Sequence, residues 1–187
     1  ERKSEVFRKH PEWILKQKKK RIPAGFNPVW GGWFNGTFYA LDLEQEEVRD
    51  YIATFIRQAV NDWGFGMLKL DFLYAAALCP PPEKTKGQVM LDAMKWIRSV
   101  VDSCNQKPIL LGCGIPLAAA FGTTEYCRIG NDVSMEWEDS FLKQINYRER
   151  VSTALSIDST ISRRQLDNNA FRNDPDVFLL RKDKTKL

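Results

Sequence analysis

The chain has 187 residues, 43% of them hydrophobic and 12% aromatic, with 28 Lys and Arg against 24 Asp and Glu. That size and composition supply one sizeable core in a single expected domain, exclude a disordered chain, and leave no apolar run near the roughly 20 residues that a membrane-spanning helix needs. The excess of +4 is concentrated at the start: residues 1–22 hold nine basic against three acidic side chains, so a solvated basic segment is expected there rather than a nucleic-acid surface.

In chain order, residues 1–22 read as basic and helical, with KQKKKR at 16–21 as a solvated helix end or loop. The Gly, Pro and Asn content of PAGFNPVWGGWFNG predicts a loop from Pro23 to Gly36. TFYALDL, 37–43, reads as a strand ending at Asp42. A helix follows: Glu44, Glu46 and Glu47 suit its first turn, Val48, Tyr51, Ile52, Phe55, Ile56, Ala59 and Val60 make a stripe at helical spacing, and Gly64 stops it. The next strand is expected at about Met67 to Phe72. CPPPEKTKG is a loop, because successive prolines lack amide donors.

A second amphipathic helix is expected from about Gln88 to Ser103, then strands in PILLGCG (108–114) and TEYCRIGNDV (124–133). One helix is predicted from Asp139 to about Ile157, and a fifth strand within NAFRNDPDVFLL, ended near Pro175. Strand and helix alternating at this spacing imply α/β architecture with a parallel sheet. No G-x-G-x-x-G or P-loop motif is present, which removes the usual mark of an open nucleotide-binding sheet. Polar residues instead gather at successive strand ends, at Asp42, Asp71, Cys113, Asp132 and Asp174, which favours a β/α barrel, whose sites are built on that edge.

The chemistry available is restricted by what is missing. Cys79, Cys104, Cys113 and Cys127 form no C-x-x-C pair and His10 is the single histidine, so zinc sites, redox motifs and histidine-based nucleophilic catalysis are not supported. Free thiols favour a reducing compartment such as the cytoplasm. A chain opening on Glu leaves the question of a signal peptide open. In GFGMLKLDFLYAA (64–76), Lys69 and Asp71 share one face of a strand. They read either as an ion pair of the fold or as an ionised nucleophile beside its cation. In CRIGNDV, Arg128 and Asp132 stand four apart across a Gly-Asn turn and can converge on one small ligand, or Asp132 can cap the next helix. Two aspartates on separate strands, each with a basic neighbour, match the two carboxyl groups that glycoside hydrolysis requires.

Taken together, HPEW at 10–13, YALDL at 39–43, GFGMLKLDF at 64–72, ILLGCG at 109–114, R-x-x-x-D at 128–132 and NDPD at 173–176 resemble, in order, the catalytic barrel of melibiase-type α-galactosidases of glycoside hydrolase family 36, clan relative of family 27. The resemblance implies a (β/α)8 barrel of which residues 1–187 form one partial segment, about strands 3 to 7, since a full barrel takes about 250 residues. It implies Asp71 as nucleophile and Asp132 as acid/base, with Lys69, Arg128 and Cys113 contacting the sugar of an α-galactoside oligosaccharide or glycoconjugate. The implied mechanism is retaining double displacement without metal or organic cofactor. An oligomer is compatible with it, and neither a membrane nor nucleic acid is an expected partner.

Where the family often has C-x-x-G-G, this chain has CGIPLAAAFG with Pro116 in place of a glycine, so the sugar contacts of that loop differ. Rival readings are α-N-acetylgalactosaminidase, galactosyl transfer of the raffinose-synthase kind, and a non-catalytic sugar-binding or structural barrel. Trp30 and Trp33 are candidates for stacking on a sugar. Asp174 and Asp176 are expected to hydrogen-bond the barrel backbone, and Asn35 begins a glycosylation sequon.

Overall fold

A computed structural model of the chain describes residues 2–26, 36–146 and 151–177. In the basic opening segment the helix is confined to α1 (Glu5–Lys9), capped by the Ser4 hydroxyl. A single 3-10 turn, Pro11–Trp13, follows where Pro11 has no amide hydrogen to extend the helix. Lys16–Gln17 (β1) and Lys20–Arg21 (β2) then pair antiparallel across Lys18 and Lys19, whose φ angles are 46° and 68°. This corrects the expectation of a helix through residue 22: two consecutive left-handed residues form a tight hairpin turn that no helix can continue. All of residues 16–21 are exposed.

The loop expected from Pro23 begins instead as a strand, β3 (Pro23–Phe26), paired antiparallel with β4 (Thr37–Tyr39). Pro23 opens the strand, a position where its missing donor is tolerated. Beyond β4 the chain is held by the N-terminal segment, with the Leu15 amide donating to the Ala40 carbonyl and the Asp42 amide to that of Trp13. Residues 37–43 therefore do not enter the parallel sheet as its first strand. A cavity of about 520 Å³ is lined by residues of both, Leu41 and Leu43 together with Leu68 and Leu70.

Helix α2 (Glu46–Arg57) buries Val48, Ala53 and Ile56, runs on through a π-helical turn at Gln58–Asp62, and is closed by Gly64 at φ 72°. Strand β5 (Met67–Leu70) alternates, with Met67 and Lys69 exposed and Leu68 and Leu70 half-buried. Helix α3 (Lys86–Asp102) starts at a capping box, in which the Thr85 hydroxyl accepts the Gln88 amide and the Gln88 side chain accepts the Thr85 amide. Strand β6 (Ile109–Gly112) leads into a short helix α4 (Leu117–Ala120), and β7 (Tyr126–Arg128) follows.

The helix expected over 139–157 is two helices. Helix α5 (Ser140–Gln144), capped by Asp139, is followed by left-handed Asn146 at φ 54°, and α6 (Thr153–Ser162) starts afresh from the extended cap residue Ser152. Strand β8 (Arg172–Asp174) ends before Pro175.

Strands β5 to β8 form one sheet in the order β5-β6-β7-β8, every pair parallel. The expected parallel barrel segment is thus present, with four strands where five were expected. Its strength comes from α3, whose Val89, Met90, Ala93, Met94, Ile97, Val100 and Val101 make one buried stripe packed with Leu110 of β6, Cys127 of β7 and Phe171 before β8. Among the described residues no helix is long and apolar enough to cross a membrane. Met94 is fully buried, so Met94→Ala is expected to cost about 2–5 kcal/mol, whereas Thr85→Ala, which removes only the cap, costs about 1 kcal/mol. Urea denaturation of the two variants measures the difference, and equal losses would contradict this assignment of the core.

Candidate active site

Because β5 to β8 are parallel, their carboxyl ends lie along one edge of the sheet. Asp71 lies one residue beyond β5, Cys113 directly follows β6, Arg128 is the last residue of β7 and Asp174 the last of β8. Register pairs Arg128 with Asp174 directly. Asp132 lies in the loop after β7. Asp71, Cys113, Asp132 and Asp174 therefore share this edge together with Arg128, whereas Asp42, expected with them, lies outside the parallel sheet.

At the end of β5 the chain turns sharply. Phe72 has φ 55°, a left-handed conformation uncommon for a bulky residue and worth about 1–3 kcal/mol of strain. Three hydrogen bonds hold it: Asp71 Oδ1 accepts the Phe72 amide at 2.7 Å, the Leu73 amide donates to the Cys113 carbonyl, and the Tyr74 amide donates to that of Gly114 at 2.8 Å. The β6 loop passes so close that a Cβ on Gly114, itself at φ 58°, would lie 3.2 Å from the Phe72 amide nitrogen and Cα. Only glycine combines that φ with that approach. Lys69 and Asp71 are both exposed at this corner.

Cys113 joins the two halves of the site. It is buried, and its thiol lies near enough to the Asp71 carboxylate to feel its charge. Burial first, and the Asp71 carboxylate second, push that thiol up to about 11, while Arg128 and Lys69 are near enough to pull the other way. On the neighbouring strand Cys127 is fully buried and pushed up to about 12, chiefly by desolvation. Pro116, the departure noted in the sequence, caps α4, its carbonyl accepting the Ala119 amide.

On the β7 side, Arg128 is only 8% exposed. Its Nη1 donates to Asp132 at 2.8 Å, Nε to Asp174 at 3.1 Å and Nη2 to Asp176 at 2.6 Å. Burial disfavours its charge, yet the Asp174 and Asp176 carboxylates outweigh burial and hold the guanidinium more firmly protonated than usual. Asp176 Oδ2 also accepts the Val133 amide, and Asp174 Oδ1 accepts that of Asp176. The backbone bonding expected of these two aspartates is present. Their grip on Arg128 was not legible, although the NDPD stretch placed two carboxylates at a strand end beside an arginine strand. Trp30, Trp33 and Asn35 lie outside the described residues. Among the described residues no group of three or more His, Cys, Asp and Glu side chains is placed to hold a metal ion.

The chain superimposes on an α-galactosidase from Thermus thermophilus, solved in complex with p-nitrophenyl α-D-galactopyranoside, with a TM-score of 0.82 and 33% identity over 99% of this chain and 36% of that one. The structure of that enzyme with stachyose matches equally, at 0.82 and 33%, over 100% of this chain and 38% of the other. The chain is similar to this α-galactosidase in sequence and in fold. An A type blood α-D-galactosamine galactosaminidase from Flavonifractor plautii is 26% identical over 119 residues, 59% of this chain and 11% of that protein. A GH27 β-L-arabinopyranosidase from Geobacillus stearothermophilus, 18% identical with a TM-score of 0.51 over 88% of this chain and 32% of that one, shares the fold alone. No protein-family model matches the sequence. The chain spans little more than a third of the length of the solved α-galactosidase and about a tenth of the galactosaminidase.

The raised thiols of Cys113 and Cys127 have a direct consequence, since only thiolate alkylates and a raised value leaves less of it at a given pH. At about pH 8, iodoacetamide is expected to label the half-buried Cys79 and Cys104 before the buried Cys113 and Cys127. Peptide mass spectrometry over a time course reads the order, and early labelling of Cys113 would contradict its burial against Asp71.

Proposed function

We propose that this chain carries the catalytic edge of a retaining glycoside hydrolase that cleaves terminal α-linked galactose. The observation that carries the reading is the placement of Asp71 and of the Arg128–Asp132 pair at the carboxyl ends of β5 and β7, with Cys113 on the strand between them. That arrangement occurs in a fold similar over its whole length to an α-galactosidase.

In this reading the Asp71 carboxylate attacks the anomeric carbon as the glycosidic C–O bond breaks, and the proton of Asp132 passes to the departing oxygen. Water then attacks the glycosyl–Asp71 ester and gives its proton back to Asp132, so the anomeric configuration is retained and no external redox or metal chemistry enters the balance. Lys69, exposed beside Asp71, and Cys113, buried against it, bind sugar hydroxyls. Three of the five N–H donors of Arg128 bond carboxylates among the described residues, and in this reading the other two bind the substrate. The glycosyl group comes from an α-galactoside oligosaccharide or glycoconjugate.

In the full protein carrying this sequence, Asp71→Asn is expected to lower kcat on p-nitrophenyl α-D-galactopyranoside by on the order of 10³-fold or more while the sugar still binds. Proton NMR of the first-formed product is expected to show the α anomer. Undiminished turnover, or a β first product, would overturn the assignment. The similarity to the galactosaminidase favours a second reading, with α-linked galactosamine in place of galactose. The kcat/KM ratio on the two aryl glycosides separates the two.

A further inference from the structure

The Arg128–Asp132 pair has an uneven environment. The Asp132 side chain is 72% exposed, whereas those of Arg128, Asp174 and Asp176 are 7%, 19% and 13% exposed. An exposed ion pair is worth about 0–1 kcal/mol and does little to fix a side chain. A guanidinium already immobilised through its other nitrogens is different, because it offers a preorganised donor whose ordering entropy has been met elsewhere.

We propose that Asp174 and Asp176, at and just beyond the end of β8, are positioning residues that hold Arg128 and the backbone beside Asp132 so that the Asp132 carboxyl is presented in one place to the leaving group. Asp176 reaches both targets at once, with Oδ1 on Arg128 Nη2 and Oδ2 on the amide of Val133, the residue after Asp132. It does so from a backbone at φ 81°, a region that Asp tolerates better than most residues. Asp174 supports that turn through its bond to the Asp176 amide and takes Arg128 Nε with its other oxygen. The Ser156 hydroxyl, donating to the Pro175 carbonyl, ties the turn to α6. The Ser152 amide, donating to the Asp132 carbonyl, ties Asp132 to the start of the same helix.

The charge arrangement has a second effect. Two largely buried carboxylates already balance the guanidinium, so Asp132 can take up a proton without leaving a buried cation unpaired. A general acid needs that freedom, and the inference rests on the acid/base reading of Asp132 given above.

The test compares leaving groups in the full protein. p-Nitrophenolate departs without a proton, whereas the methoxide of methyl α-D-galactopyranoside requires one, so loss of a well-placed acid harms the methyl glycoside selectively. Asp176→Ala is expected to lower kcat/KM on the methyl glycoside about tenfold or more beyond its effect on the aryl glycoside, and Asp132→Ala is expected to show the same bias. Asp176→Asn keeps the left-handed turn and one acceptor but loses the charge, so it carries the test should the alanine variant not fold. The same bias in it supports the proposal. Equal losses on both substrates in the Asp176 variants, beside a biased loss in Asp132→Ala, would overturn the positioning role and leave the acid/base reading intact. Absence of bias in Asp132→Ala itself would overturn that reading, and the positioning role with it.

Discussion

The edge that carries this site depends on one constraint: a guanidinium cannot be taken to 8% exposure without carboxylates around it. Arg128 ends β7, and its partners Asp174 and Asp176 come from the neighbouring strand end more than forty residues later. Satisfying the buried cation therefore requires β7 and β8 to lie parallel and in the register that sets Arg128 against Asp174, and that register is observed. The same demand draws in the loop after β7, because Asp132 and the Val133 amide complete the set. A local electrostatic requirement thus fixes the meeting of three chain segments.

A different device holds the other half of the edge. At β5 the chain is turned by a left-handed Phe72 and held by backbone bonds from the β6 loop, with Gly114 allowing the close approach. Here no buried charge is involved. Asp71 stays exposed, and its carboxylate acts on the buried Cys113 thiol nearby. The nucleophile candidate thus sits on a strained backbone corner and the acid/base candidate on an ion-pair cluster, with the fully apolar β6 between them as a rigid spacer. Catalytic groups on rigid strand ends are set more precisely than groups on free loops.

β5 carries Lys69 exposed beside the apolar residues that lead into the strand. It is an edge strand of the described sheet, and Trp63, Phe65 and Met67 leading into it are each about half exposed or more. Apolar surface of that extent at a sheet edge is what neighbouring units cover in a closed barrel. Central β6, flanked on both sides, has no charged residue at all, as a buried parallel strand is expected to have none.

Periodicity, with the acidic first turn of α2, placed α2 and α3 within two residues of their starts, because an apolar stripe at helical spacing leaves little choice of face. Local pattern failed where tertiary contacts or single φ values decided: the Lys18–Lys19 turn, the break between α5 and α6, and the antiparallel pairing of residues 37–39 with 23–26. By itself the sequence determined that Asp71, Cys113, Asp132 and Asp174 would share one edge of a parallel sheet, because strand direction follows from alternation of strand and helix, but it wrongly placed Asp42 with them. Only the tertiary structure decided that Asp174 and Asp176 grip Arg128 and that Cys113 meets Asp71, because those contacts depend on register and on buried charge, which no spacing within one segment records.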